Sequence, residues 1–583
     1  MIQPSRSVVP IDDASRRKGP ARSRIEEGSS LRTDGKLNVA IVGTGISGLS
    51  AAWLLSQRHD VTVYEKSDRI GGHSNTVTAS LGGQRVAVDT GFIVFNRKTY
   101  PNLTALFRHL GVPTQASEMS LSVSLDQGDL EYSGTGLSGL LAQPGNLLRP
   151  RFWSMLRDLV RFYDRATRDA TLLGDETISL GDYLAQGGFG SAFRDDHLLP
   201  MASAIWSAPP EEILAFPAAT FIRFHHNHGL LQLTSRPPWE TVTGGSRVYV
   251  QRLVEPFADR IKLDCGVTRI RRSARGVTVT DIHGETRPYD HVVLATHADQ
   301  ALSTIDEPTP DQSGLLGAFR YSRNLAVLHS DQTFMPRRRL AWSSWNYVGS
   351  RGECSGPVGV TYWMNRLQGI PGHLPLFVTL NPARPPRADT LHQTEVYEHP
   401  IFDAAAIAAQ RRLWSLQGDG GIWFCGAHFG AGFHEDGLQS GLAVAEQLGN
   451  VRSRGTCRTN PDALCSPPTP DPCLNRSCSH DAALLSLSRW RDASAAAADD
   501  ASLSLPCVLA AARSRRDANA QLSVAASLAQ PVQPVRTVRP RSRRRRSNAT
   551  ARSDRAASRT SGYRSGRRAD SVVLHAADTR LQF

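Results

Sequence analysis

Leu37-Asn38-Val39-Ala40-Ile41-Val42 is an apolar run that ends on Gly43-Thr44-Gly45-Ile46-Ser47-Gly48, and this junction leaves few folds open. A run this short, closed by glycine, reads as a strand buried on both faces of a parallel sheet. Gly43 permits the tight turn out of the strand, Gly45 lets backbone approach a pyrophosphate, and Gly48 lets the next helix pack on the sheet. The first turn of that helix, through Ile46 and Ser47, offers free N–H groups and a partial positive charge to phosphates. Leu49, Ala52, Trp53 and Leu55 give the helix its apolar side, and Val61–Tyr64 forms the next strand. Glu65 follows at its tip, 22 residues after Gly43. A carboxylate there accepts hydrogen bonds from ribose hydroxyls and disfavours a 2′-phosphate. The unit is a βαβ dinucleotide site.

The residues after Glu65 narrow the cofactor. Glu65-Lys66-Ser67-Asp68-Arg69-Ile70-Gly71-Gly72-His73 resembles the second signature of the flavin-containing amine oxidoreductase superfamily, with His73 where that family usually has Arg. Trp239-Glu240-Thr241-Val242-Thr243-Gly244-Gly245-Ser246 is similar to its Gly-Gly turn opening a helix. Cys265–Ile270 resembles the strand whose backbone, at Val267, contacts adenine, and Asp290–Thr296 the strand leading back out of the flavin domain. Phe424-Cys425-Gly426-Ala427, followed by His434–Gly441, resembles the C-terminal flavin motif. The resemblance implies FAD, held through Lys66, Arg69, Gly71, Gly72, Gly426, Asp436, Gly437 and Leu438 beside the fingerprint. Ala427 replaces the family's acid, and Glu435 or Asp436 is expected to supply that carboxylate. The implied fold is α/β. A Rossmann-type FAD domain over 37–105, 235–300 and 420–449 carries a discontinuous mixed-sheet substrate domain over 106–234 and 301–419. A flexible leader spans 1–36, and an Arg/Ser/Ala-rich tail expected to lack a core spans 450–583. Further strands are expected at Arg247–Val250, Gly276–Thr280 and His291–Ala295.

The formal charge of +13 invites a nucleic-acid reading. It belongs to the tail alone: residues 451–583 hold 23 Arg against 10 Asp, and the preceding 450 residues are neutral. Nucleic acid is therefore not an expected partner. No apolar run reaches the ~20 residues of a spanning helix. The first 36 residues lack an apolar core, and Cys265, Cys354 and Cys425 are too scattered for a disulfide framework. The cytoplasm is the expected compartment, with peripheral contact at the inner membrane face read from Arg149–Arg168. There Phe152, Trp153, Leu156 and Leu159 stand against Arg157, Arg161, Arg165 and Arg168. The same pattern suits a helix packed on the core with a solvated basic face.

Amine oxidases of the resembled family generally place a Lys near the flavin, whereas this chain has five Lys and none after Lys262. That favours hydride removal from carbon in a largely apolar, fatty-acyl or lipid substrate, as in a dehydrogenase or desaturase. Oxygen or a carrier would take the electrons onward. The alternatives are an amine oxidase without the Lys and a non-catalytic binding protein of the same fold. Candidate substrate-side groups are Trp345 and Tyr347, with Tyr362, Trp363, Asn365 and Arg366. His228, His428 and His434 are candidate proton carriers. His225-His226-Asn227-His228 lacks a completing ligand set, so no metal is assigned.

Overall fold

A computed structural model of the chain describes residues 35–169, 178–232, 236–351 and 359–451. The expected leader and tail lie almost wholly outside those residues, as does Cys354.

The apolar run forms strand β1 (Asn38–Val42), followed by helix α1 (Ile46–Leu55) and strand β2 (Asp60–Tyr64). β1 pairs in parallel with β2, Ala40 opposite Thr62, and β3 (Ile261–Lys262) extends the sheet beyond β2. On the other edge of β1 come β4 (His291–Leu294) and β5 (Ile422–Phe424), both parallel. Val39 and Ile41 face one apolar core while Ala40 and Val42 face another, so the run has no polar alternation. Gly43 leaves β1 at φ +103°, and a Cβ there would sit 2.8 Å from the Ala295 carbonyl oxygen. Helix α2 (His434–Gly449) crosses α1 so closely that a Cβ on Gly441 would lie 2.2 Å from the Ser47 carbonyl oxygen. The two glycine-bearing helices thus bring both ends of the chain's motif set to one edge of the sheet.

A second sheet of seven strands runs in the order Leu391–Ile401, Arg320–His329, Phe377–Leu380, Val360–Trp363, Trp345–Gly349, Leu121–Leu125, Leu130–Ser133. Neighbours are antiparallel except Trp345–Gly349 against Leu121–Leu125. Among the described residues three smaller sheets of two or three strands accompany these two, and the architecture is the expected α/β one, a parallel Rossmann-type sheet beside a mixed sheet.

One expectation changes, and one helix takes the core-packed place that its pattern suits. Arg247–Val250 is not a strand but the start of the helix Arg247–Val254. Four residues cannot separate the two periods, and the buried set Tyr249, Val250, Leu253 and Val254 has helical spacing once the window is extended. The helix Pro150–Asp169 turns Phe152, Met155, Leu159, Phe162 and Tyr163 into the core. Its Arg161 donates to Asp158 and to the Gly187 and Gly188 carbonyls, and Arg168 pairs with Asp164. Its body is a core element. Among the described residues no helix is long and apolar enough to cross a membrane.

Candidate flavin site

At the tip of β2, Glu65 is buried and locked by the fingerprint turn. One carboxylate oxygen accepts from the Thr44 N–H (3.0 Å) and the Thr44 hydroxyl, and the other accepts from the Ser67 N–H (2.9 Å). The Cys265 N–H donates to the Glu65 carbonyl at 2.8 Å, which lays the segment entering Val267 alongside. Lys66 is exposed, so its backbone is what faces the turn. Arg69 donates to the Gly72 carbonyl at 2.8 Å, and a Cβ on Gly72 would lie 3.1 Å from the Gly45 Cα. The two glycine turns therefore touch. A Cβ on Gly45 itself would meet nothing within 4 Å, so open space stands before the α1 N-terminus. Across it, the Gly426 N–H donates to Ser440 on α2, and the Leu438 side chain is buried in the core.

Beside this cradle the chain collects histidines. The His73 ring lies 4.8 Å from that of Tyr397 and 5.4 Å from that of His399. His434 stacks on Phe92 at 3.9 Å and shares a 2.7 Å hydrogen bond with the Tyr249 hydroxyl. His297 stacks on Tyr321 at 4.3 Å and meets the Glu398 carboxylate at 3.3 Å. Burial drives all of these imidazoles toward the neutral form. His399 is pushed down to about 4, His428 and His434 to about 3, and His73 falls well below the usual value. His73 feels the charges of His399, His297 and His434 as well, each of which lowers it further.

His399 has a fixed tautomer. The Leu325 N–H donates to Asn381 Oδ1, and Asn381 Nδ2 donates to Asn324 Oδ1. Asn324 Nδ2 then donates to the Ser322 carbonyl and, at 3.0 Å, to His399 Nδ1. Because the first donor is a backbone N–H, each amide has one orientation. Neutral His399 must carry its proton on Nε2.

Several sequence candidates take other places. Glu435 accepts from the Asn102 and Leu103 N–H groups at 2.8 and 3.0 Å, capping the helix Pro101–His109. Asp436 accepts from the Phe433 N–H at 2.8 Å, at the start of α2. Both carboxylates accept from backbone N–H groups, and burial raises Glu435 to about 7 and Asp436 to about 6. Trp345 and Tyr347 pack with Tyr362 in the core of the second sheet, although the Trp345 indole N–H is buried without a partner among the described residues. His228 donates from Nδ1 to the Phe224 carbonyl and stacks on Phe224. As proton carriers, His228, His428 and His434 are held neutral by burial. Sequence reading missed His297, which is the N-cap residue of the helix Ala298–Thr304, and Asn324, Tyr397 and His399, which lie on strands whose pairing it did not assign.

The family profile described as flavin containing amine oxidoreductase matches residues 46–343, just over half of the chain. The chain belongs to that family. The Mycobacterium tuberculosis protein named flavin-containing monoamine oxidase AofH is 28% identical over 360 residues, covering 59% of this chain and 74% of that protein. A Streptomyces griseus carotenoid phi-ring synthase is 35% identical over 364 residues, 57% of this chain and 65% of that one. Among solved structures, a putrescine oxidase variant superposes with a TM-score of 0.54 at 18% identity, over 71% of this chain and 98% of the other. That likeness carries the fold. The oxidoreductase is FAD-dependent, and its residues fit the cofactor. The open wall at Gly45, the uncapped N-terminus of α1 and the buried Nε2 atoms of His73 and His428, which have no partner among the described residues, present a cradle with polar groups to spare.

Proposed function

We propose that this flavoenzyme removes hydride from carbon in a largely apolar, lipid-like substrate, as a dehydrogenase or desaturase, and passes the electrons to oxygen or a carrier. Segments 37–105, 235–300 and 420–449 would hold FAD through the residues described above. Segments 106–234 and 301–419 would meet the substrate. When bound, FAD supplies the two-electron acceptor. The carrying observation is the chemistry of the histidine wall: neutral imidazoles and aromatic rings, with no lysine among them. Lys36 and Lys262 pair with Asp60 and Glu285, and Lys66 and Lys98 are exposed. An apolar ligand is at home there, whereas a protonated amine loses hydration without a free carboxylate to receive it. His399, with its Nε2–H set by Asn324, offers a fixed donor that stays uncharged at neutral pH. The name of the Streptomyces relative, which refers to a carotenoid, accords with this reading.

Amine oxidation is the second reading, and Glu398 favours it. Its carboxylate, shared with His297 and Arg323, lies against the ring cluster where an ammonium group could approach. Anaerobic mixing with a panel of amines and of phospholipid-borne acyl chains, followed by bleaching of the flavin, tests the choice. Bleaching by the lipids supports the proposal; rapid bleaching by amines with none by lipids replaces it with the second reading.

A further inference from the structure

Twelve large apolar side chains are exposed among the described residues, and six of them lie in one place: Leu137, Leu141, Leu147, Leu148, Trp153 and Leu340. Leu148 is 88% exposed, Leu137 76%, Leu340 68% and Trp153 49%, far beyond the scattered leucines of an ordinary surface. They come from the short helix Leu137–Leu140, the turn Pro144–Leu148, the first turn of the helix Pro150–Asp169 and the turn Arg339–Ala341. The turn Arg339–Ala341 packs on the short helix, and the turn Pro144–Leu148 on the helix that follows it.

The polarity of this segment is inverted. Gln143 and Asn146 point inward: Gln143 bonds the Asp129 carbonyl and the Glu131 N–H, and Asn146 Nδ2 donates to the Glu131 carbonyl. With the amides anchoring it from beneath, Leu147 and Leu148 are turned out to solvent. The Trp153 indole N–H donates to the Leu147 carbonyl at 2.9 Å, which fixes the ring beside the leucines. The surface is rigid and apolar by construction.

Its excess charge is basic: the carboxylates beside Leu148, Asp129 and Asp196, are already bound by Arg149, Arg151 and Arg351. The sequence has no Asp or Glu between Glu131 and Asp158, and none between Asp331 and Glu353. Glu131 is itself wholly buried under the Arg337 and Arg338 N–H groups and the Arg338 guanidinium. Arg337 and Arg339 are exposed, with no carboxylate partner among the described residues; Arg339 directly precedes Leu340 and lies over the Trp342 ring at 4.5 Å. Exposed leucines and a tryptophan with two arginines that pair with no carboxylate match the interface of an anionic bilayer, where apolar groups enter the acyl boundary and arginines meet phosphates. We propose that this surface seats the enzyme on an anionic lipid bilayer. The inference goes beyond the substrate reading and does not depend on it.

The test uses the full chain with its flavin, and vesicles of phosphatidylcholine with or without phosphatidylglycerol, read by co-sedimentation. Work at raised salt weakens purely electrostatic binding, including any from the arginine-rich residues after 451. Leu148→Ser combined with Trp153→Ser is expected to lower the residual partition at least tenfold. Arg337→Gln with Arg339→Gln, measured at low salt, is expected to lower binding to the anionic vesicles about fivefold per arginine. The flavin spectrum should not move in either variant; the thermal midpoint should hold in the arginine variant and fall slightly in the other, which loses the indole hydrogen bond to Leu147. Variants that bind vesicles as the parent does overturn the proposal. So does a lipid-free self-association that Leu148→Ser with Trp153→Ser abolishes while vesicle binding persists, which would assign the surface to a second copy of the chain.

Discussion

Gly45 and Gly48 stand three residues apart in the fingerprint, and substitutions at them are expected to fail differently. A Cβ on Gly45 enters open space, whereas one on Gly48 lies 2.0 Å from the Gly43 carbonyl oxygen and 3.0 Å from the Ala295 Cβ. Gly45→Asp should therefore give a folded, colourless protein, because its carboxylate repels the pyrophosphate without disturbing packing. Gly48→Ala should instead lower stability by about 1–3 kcal/mol or more, since backbone must move. Visible absorbance and a urea titration separate the two outcomes. Asn324 allows a finer experiment. Asn324→Asp would accept a proton from His399 Nδ1 rather than donate to it, which reverses the tautomer and raises the His399 pKa from about 4 toward its ordinary value. Flavin reduction by the true substrate should slow by about 100-fold, with its pH profile displaced upward. An unchanged profile would remove His399 from the chemistry.

Elements show which parts of this were legible in the sequence. β1, β4 and β5 could be read because a strand buried on both faces must be an unbroken apolar run, and glycine marks where β1 and β5 end. The helix at Arg247 could not, because its four-residue window lacks a period. Asn324 and His399 were invisible for a different reason. They are 75 residues apart and meet only because Ser322 lies opposite His399, which puts Asn324 on the diagonal of the same strand pair. Cross-strand register is set by the whole sheet, and no local pattern encodes it. Glu435 shows the same limit. A carboxylate in a flavin motif suggested a role toward the ring, yet it closes the N-terminus of the helix Pro101–His109, 332 residues away from Leu103 in sequence. Glu435→Ala should leave two buried N–H groups unpaired and cost about 1–3 kcal/mol, visible as a lower urea midpoint.

At the scale of the whole molecule, buried histidines set the response to acid. Burial holds His73, His197, His225, His228, His329, His399, His428 and His434 below the usual imidazole range, several to about 3 or 4. In the unfolded chain each protonates near pH 6.5, while in the fold it stays neutral. The unfolded state thus binds more protons, and stability falls as pH drops below 6.5, by about 1.4 kcal/mol per pH unit for each such histidine. Three carboxyls oppose this. Asp89 is raised to about 6, Glu435 to about 7 and Asp436 to about 6, all chiefly by burial, so between pH 4 and 6 they bind more protons folded than unfolded and stability rises as pH falls. Eight groups outnumber three, and the net slope has the sign of the histidines. The urea midpoint should be nearly level from pH 8 to 7 and drop steeply from pH 6.5 to 5, with the flavin released in the same interval. Replacing one core histidine remote from the cradle, His225→Leu, should flatten the slope by about one proton without altering the neutral-pH spectrum. His225 serves this purpose because its Nε2 is buried with no partner among the described residues and its Nδ1 bonds only the Phe221 carbonyl of its own helix. A midpoint that stays level down to pH 5 would mean that these imidazoles are protonated in the fold, and the neutral wall on which the apolar-substrate reading rests would go with it.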